Sequence, residues 1–161
     1  MNTNVKPIPD GFHTVTPYLI VKGGARAIEF YKRAFGAKER GRWPGPDGQT
    51  LSHAEIAIGD SIIMLADEFP PCGSKSPETL NGTPVSLIIY VKDVDQAFQR
   101  AIDAGGTVLR PLEDKFYGER AGCLTDPFGH QWTLMTHIED VPPDEMKKRM
   151  KEFHDEMPAA K

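Results

Sequence analysis

The chain has 161 residues, a net charge of −4 and 39% hydrophobic residues, which is typical of a globular protein in water. The acidic balance argues against nucleic-acid binding, because such proteins usually carry a basic face. No apolar run approaches the ~20 residues that span a bilayer, and the first residues have no signal-peptide pattern. We therefore expect a cytoplasmic protein. Its two cysteines, Cys72 and Cys123, lack zinc-site spacing and indicate reduced thiols.

An internal repeat is the most informative feature of the sequence. The segment YLIVKGGARAIEFYKRAFGA, which starts at Tyr18, aligns with IIYVKDVDQAFQRAIDAGG, which starts at Ile88. Val21 and Lys22 match Val91 and Lys92, and further identities follow in the helical part. Two copies of one structural unit are therefore expected.

Each copy predicts the same order of elements, a strand, a helix and three strands. The first strands are predicted at residues 15–21 and 85–91, where β-branched and aromatic residues favour a pleated strand. Asp93 and Gln96 have the spacing of a helix N-cap, and Gly36 suits a helix C-terminus. The three later strands are predicted at residues 37–43, 51–58 and 61–67 in the first copy, and at 107–112, 121–126 and 130–137 in the second. The modules then comprise residues 12–68 and 85–138, joined by a Pro/Gly/Ser/Thr-rich linker at 69–84.

The C-terminal tail predicts a separate helix at residues 142–157. Pro142 and Pro143 suit a helix start. Apolar side chains then recur at helical spacing, at Met146, Met150, Phe153 and Met157. Such a stripe predicts a face that packs on the core or on a partner subunit.

This order of elements resembles the vicinal oxygen chelate superfamily, which includes glyoxalase I and the bleomycin-resistance, extradiol dioxygenase and fosfomycin-resistance proteins. The segments TPYLIVKGGARAIEFYKRAFGA, HAEIAIGDSIIMLADE and FYGERAGCLTDPFGHQW carry the resemblance, which is nearest to the PhnB-like branch. It implies an α+β fold with two βαβββ modules, whose curled mixed sheets enclose a cleft for a small molecule. It also implies a homodimer, and leaves open whether paired modules belong to one chain or to two.

Members of this superfamily that are enzymes hold a divalent metal with His, Gln or Glu on the first and last strands of paired modules. The resemblance places these positions at Thr16, Met64, Ser86 and Thr133. None of these side chains is a good ligand for such a cation. We therefore expect no metal or other cofactor.

Strand alternation in LSHAEIAIG indicates two further candidate site residues. Ala54, Ile56 and Ile58 share one face, so His53 and Glu55 share the other, toward the cleft. This pair could bind a ligand, could hold a displaced metal or act as acid and base, or could be a polar pair that faces solvent.

Aromatic and charged residues complete the predicted cleft. Tyr18 and Tyr90 follow the first-strand ligand positions on the same face and suit a planar or apolar ligand. Tyr117, Glu119 and Arg120 lie just before a strand, where Arg120 could bind a carboxylate or phosphate. The alternative for this segment is a salt-bridged surface loop.

Three functions remain open from the sequence. The first is a binding protein of the bleomycin-resistance type, which holds a small molecule and has no membrane or nucleic-acid partner. The second is a metal-dependent lyase, isomerase or dioxygenase that uses His53 and Glu55 as displaced ligands. The third is a structural or regulatory module, since one fold hosts unrelated functions.

Overall fold

The computed structural model describes residues 5–156, in which one module occurs twice. The first module consists of β1 (Tyr18–Val21), α1 (Gly24–Phe35), β2 (Lys38–Pro44), β3 (Leu51–Ile58) and β4 (Ser61–Asp67). A 3-10 turn (Pro70–Cys72) and the short helix α2 (Pro77–Leu80) follow. The second module consists of β5 (Ser86–Tyr90), α3 (Val94–Asp103), β6 (Thr107–Asp114), β7 (Glu119–Thr125) and β8 (Gln131–His137). The last described element is α4 (Pro143–Glu156).

Each module forms one four-stranded mixed sheet. The strand orders are β1-β4-β3-β2 and β5-β8-β7-β6. In both sheets the first strand runs parallel to the last, and the other neighbours are antiparallel. The predicted α+β fold with two βαβββ modules and a C-terminal helix is therefore confirmed.

The start of β1 and the linker differ from the sequence prediction in detail. β1 begins at Tyr18 rather than at Val15, because Pro17 has no N–H to donate to a neighbouring strand; its carbonyl still accepts a bond of 2.9 Å from the amide of Met64. The predicted linker at 69–84 contains α2, whose first turn is capped by the hydroxyl of Ser76, which accepts from the amide of Thr79.

The predicted start of α3 and the predicted end of α1 are confirmed. The carboxylate of Asp93 accepts a bond of 3.0 Å from the amide of Gln96, which satisfies one free donor at the start of α3. Gly36 ends α1 with a φ of 68°, a left-handed conformation that costs glycine little.

One core serves both modules, because α1 and α3 lie between the two sheets. Ala54, Ile56 and Leu65 of the first sheet pack under α1, and Leu124 and Leu134 of the second are equally buried. α1 also reaches the second sheet directly, since the rings of Tyr31 and Phe35 lie 5.4 and 4.8 Å from that of Trp132. The uncovered sides of the sheets therefore point away from each other.

A buried carboxylate ties the modules together within this core. Asp126, in the segment DPFGHQW, accepts bonds from the hydroxyl of Tyr31 and the indole N–H of Trp132, both at 2.8 Å. It also accepts from the amides of Phe128 and His130. Burial and the adjacent carboxylate raise the pKa of Tyr31 well above its usual value, so this phenol stays a donor. The motif thus has a structural role.

The imidazole of the turn histidine His130 bonds to backbone. Its Nε2 lies 3.0 Å from the carbonyl oxygen of Ile20 in β1. The bond therefore connects the two modules instead of closing its own turn.

The helix α4 is attached mainly through polar contacts. None of its residues is buried, and the guanidinium of Arg149 bonds both carboxylate oxygens of Glu139 at 2.7 and 2.8 Å. The predicted apolar stripe is only partly covered: the ring of Phe153 lies 4.9 Å from that of Phe116, while Met150 stays exposed. Met157 lies outside the described residues. Within residues 5–156, no helix is both long and apolar enough to cross a bilayer.

Candidate ligand-binding faces

The side of the first sheet that faces away from the helices is called the first open face. Strand pairing aligns Tyr18, Met64 and Glu55 as successive neighbours across β1, β4 and β3. His53 lies on the same face, opposite Trp43 of β2. The predicted alternation of β3 is thus observed, with Ala54, Ile56 and Ile58 buried on the other side.

Three rings form a cluster on this face. The hydroxyl of Tyr18 lies 3.1 Å from Nδ1 of His53, and the rings of Tyr18 and Trp43 lie 5.7 and 5.2 Å from the imidazole. Tyr18 and Trp43 are 48% and 51% exposed, so each keeps half of its surface free for a ligand. Partial burial raises the pKa of Tyr18, which keeps the phenol neutral.

Charged groups flank the three rings. Nε2 of His53 lies 3.6 Å from one oxygen of Glu55, and Nε of Arg40 lies 3.5 Å from the other. The guanidinium of Arg40 also lies 5.8 Å from the ring centroid of Phe12, a cation–π distance. The carboxylate of Glu55 is therefore shared between a cation and an imidazole.

Arg40 and Trp43 were not among the site residues predicted from the sequence. Residues three apart on a regular strand point to opposite sides. In β2 the pairing register shifts between Glu39 and Gly41, and the extra residue of such a bulge re-aims the side chains around it. Gly41, which interrupts the strand next to Arg40, is a weak sequence signal for this bulge.

A cavity of about 800 Å³ adjoins the ring cluster. Its floor includes Tyr18, Ile20 and Ala66, and the segment after β4 contributes Phe69 and Cys72 to its wall. The volume falls within the range of small-molecule pockets, about 300–1,000 Å³.

The corresponding side of the second sheet is called the second open face. Ile88, Thr133, Cys123 and Arg110 are successive neighbours across its four strands. Ile88 is opposite Thr133 in the same way as Tyr18 is opposite Met64, so the register agrees with the alignment of the two copies. Ser86 and Tyr90 lie on this face as well, and both are exposed.

The segment 117–120 is divided between the two sides of the sheet. Tyr117 is partly exposed beside the second open face. Glu119 also lies on this side, opposite His137, and its Oε1 is 3.0 Å from Nδ1 of that imidazole. Its other oxygen, Oε2, is buried without a hydrogen-bond partner among the described residues.

Arg120 is not brought to the open face where the sequence prediction put it. β7 begins at Glu119, two residues earlier than predicted, so Arg120 points to the helix side with alternate residues of the strand. Its guanidinium bonds Asp95 of α3 at 2.7 and 2.9 Å and Asp114 at 2.9 Å. For Arg120, this arrangement agrees with the alternative of a salt-bridged surface segment and not with a ligand-binding role.

A second cavity of about 350 Å³ lies between this face and α4. It is lined by Arg110, Phe116, Tyr117, Cys123, Thr133 and Phe153. The helix α4 therefore covers part of the second open face.

A single chain does not bring the predicted cleft residues together. Tyr18, His53, Glu55 and Met64 lie on the first open face, and Thr16 lies in the segment before it. Ser86, Tyr90, Tyr117, Glu119 and Thr133 lie on or beside the second. Because α1 and α3 lie between the sheets, the open faces that carry these two groups point away from each other. A cavity of about 540 Å³, lined by Phe35, Leu87 and Trp132 among others, remains between the sheets.

The four positions implied as metal ligands offer hydroxyl and thioether groups. The hydroxyl of Thr16 already donates to the carbonyl of His13 at 3.1 Å, and a thioether such as Met64 is a soft ligand. Across the described ranges, no group of three His, Cys, Asp or Glu side chains is arranged to hold a metal ion. This donor set does not fit a divalent cation of the superfamily type.

Comparison with known proteins identifies relatives of the whole two-module unit. The family model described as Glyoxalase/Bleomycin resistance protein/Dioxygenase superfamily matches residues 11–134. An uncharacterized protein of Mycobacterium tuberculosis is 46% identical over 153 residues, covering 93% of this chain and 86% of that protein.

Solved structures have the same fold. TioX from Micromonospora sp. ML1 superposes with a TM-score of 0.63 at 29% identity, covering 78% of this chain and 99% of that one. A PhnB protein from Bacillus cereus gives a TM-score of 0.60 at 21% identity, covering 77% and 99%, a likeness of fold alone.

Proposed function

Because the chain belongs to the Glyoxalase/Bleomycin resistance protein/Dioxygenase superfamily, we propose that it is a small-molecule-binding protein that acts as a homodimer. The ligand lies in a cleft between the first open face of one protomer and the second open face of its partner. Each dimer therefore has two equivalent clefts.

The two sheet edges support the proposed dimer. β1 and β5 are each the outer strand of a sheet, with a neighbour on one side only among the described residues. Ile88 and Tyr90 on β5 are 58% and 65% exposed, and Val15, just before β1, is 83% exposed. Unpaired edge strands with apolar side chains are ready to join another chain. Pairing β1 with the partner's β5 covers them and unites open faces from two chains.

The observation that carries the binding function is the cluster of Tyr18, Trp43 and His53. Half-exposed aromatic rings beside a cavity supply apolar area and a few polar groups, as small-molecule sites do. The residues at the four expected metal positions offer no comparable chemistry, so binding without a resident metal is the function that the site supports best.

A thermal-shift screen of planar aromatic compounds tests this function, followed by titration calorimetry. A specific ligand raises the melting temperature as its concentration increases. Trp43→Ala should weaken that ligand by about tenfold or more, because it removes a large contact surface. The matched control Ile8→Ala removes a half-exposed apolar side chain outside this cavity and should have a smaller effect. If no compound binds, or Trp43→Ala leaves affinity unchanged, the proposal is wrong.

A metal-dependent enzyme is the second candidate, because His53 and Glu55 converge on one face 3.6 Å apart. A two-residue metal site would need further ligands from a partner or a substrate. Elemental analysis of protein purified without added metal tests this candidate. A near-stoichiometric transition metal that is lost in His53→Ala would favour it over the binding protein.

A further inference from the structure

We propose that the cavity under α4 binds a small aromatic carboxylate, with Arg110 as its anion-binding residue. This inference rests on the proposed binding function and specifies the chemistry of one wall of the cleft. Such a ligand needs an anion-binding group, a planar slot and a cavity of matching length. The second open face, the β6–β7 connection and α4 together supply all three.

The anion-binding group is the guanidinium of Arg110. Arg40, Arg42, Arg120 and Arg149 each bond a carboxylate, and Arg26, Arg33 and Arg100 each bond a backbone carbonyl. Among residues 5–156, Arg110 alone of the arginines has neither kind of partner, although it lines a cavity. The nearby ammonium of Lys115 is bonded to Glu113 at 2.8 Å. A guanidinium fork with no internal partner is suited to a carboxylate from a ligand.

The slot is formed by three rings. The rings of Phe116 and Phe153 lie 4.9 Å apart at 32°, and that of Tyr117 meets Phe116 edge to face at 5.3 Å. Phe153 and Tyr117 are partly exposed, so an aromatic ligand can cover them and gain contacts of the same kind.

The length is set by the sheet. Arg110 is opposite Cys123, which is opposite Thr133, and neighbouring strands are about 4.8 Å apart. Arg110 and Thr133 are therefore separated by roughly 10 Å of sheet. A single aromatic ring with a carboxylate at one end and a hydroxyl at the other spans this distance. The half-buried hydroxyl of Thr133 can then bond the far end.

Titration calorimetry with 4-hydroxyphenylacetate, and with its neutral amide 4-hydroxyphenylacetamide, tests the proposal on the full chain. The acid should bind at least about tenfold more tightly than the amide, because a charge-assisted bond is lost in the amide. Arg110→Gln should remove this difference by weakening the acid alone. Arg110 is exposed, so the variant should fold. Arg26→Gln, another exposed arginine, is the matched control and should change neither affinity.

Phe153→Ala should weaken the acid and the amide by the same factor, since both carry the ring. The proposal is overturned if acid and amide bind equally, if Arg110→Gln weakens both alike, or if neither binds at millimolar concentration. A ligand that depends on Trp43 but not on Arg110 would leave the general binding function in place and refute this inference alone.

Discussion

The two open faces share one register and differ in chemistry. On the first, Tyr18, Met64 and Glu55 occupy the row that Ile88, Thr133 and Cys123 occupy on the second. The first face carries an imidazole and a carboxylate that already pairs with Arg40. The second carries its own carboxylate and imidazole, Glu119 and His137, and adds Arg110, which has no acidic partner among the described residues. The repeat thus preserves backbone geometry, while the arginine is paired with a carboxylate on the first face and is without one on the second.

The strongest test of this comparison concerns the core, where only the second module supplies a buried carboxylate. Asp126→Ala leaves the donors of Tyr31 and Trp132 buried without an acceptor. We expect a loss of at least about 3 kcal/mol in the free energy of unfolding, since each such donor costs about 1–3 kcal/mol. Urea unfolding measures it, and Asp60→Ala in an exposed turn should be nearly neutral. An Asp126→Ala protein as stable as the control would contradict the proposal that this carboxylate holds the two modules together.

The next largest effect is expected on assembly. Ile88→Lys places a charge on the exposed face of β5, where pairing with a partner would bury it. We expect the dimer to become a monomer in size-exclusion chromatography with light scattering. Leu109→Lys, a similarly exposed position on β6 at the other edge of the sheet, should stay dimeric. Equal behaviour of the two variants would rule out the β5 edge as the interface.

A smaller effect is expected from making the first face resemble the second. Glu55→Gln removes the carboxylate that pairs with Arg40 and leaves this guanidinium available to an anion. The stability should change by no more than about 1 kcal/mol, because the pair is partly exposed. Calorimetry with 4-hydroxyphenylacetate should then detect a second, weaker site per chain. Unchanged stoichiometry would show that an unpaired arginine is not sufficient for binding.

The smallest effect concerns the connection between β8 and α4. Hydrogen bonds to Asp140 and Glu119 raise the pKa of His137 above its usual 6.5. A raised folded-state pKa means that the stabilisation is complete below the unfolded value and is lost as the pH rises through the folded value. Amide exchange at residues 138–142, corrected for intrinsic rates, should therefore be slower near about pH 6 than near about pH 9. His137→Gln should abolish this difference, whereas His154→Gln should preserve it. If the difference persists in His137→Gln, a group other than His137 causes it.

Much of the first open face could be predicted, and the reason is strand alternation. The pattern of β3 assigned His53 and Glu55 to one side because Ala54, Ile56 and Ile58 needed the other. The family resemblance likewise placed Met64 and Thr133 at equivalent positions of the last strands, in agreement with their pairing to Tyr18 and Ile88. These inferences hold where strands are regular and one face is buried.

The same reasoning fails where strands are irregular. Arg40 lies at a register shift in β2, and Arg110 lies between two shifts in β6, where period-two counting fails. Arg120 was a candidate cleft residue with a salt-bridged loop as the alternative, and it forms salt bridges on the helix side of β7, which starts earlier than its apolar residues suggest. All three residues are arginines, and the direction in which each side chain points depends on hydrogen bonding between strands.

The sequence by itself determined the repeat, the order of the elements and the apolar side of each strand, because all three depend on local periodicity. Only the tertiary structure decided that α1 and α3 lie between the sheets, which turns the open faces outward and separates the predicted cleft residues. It also decided which arginines pair with a carboxylate or a carbonyl, and that Arg110 pairs with neither among the described residues. Those outcomes depend on contacts between residues far apart in the chain, and no local pattern encodes them.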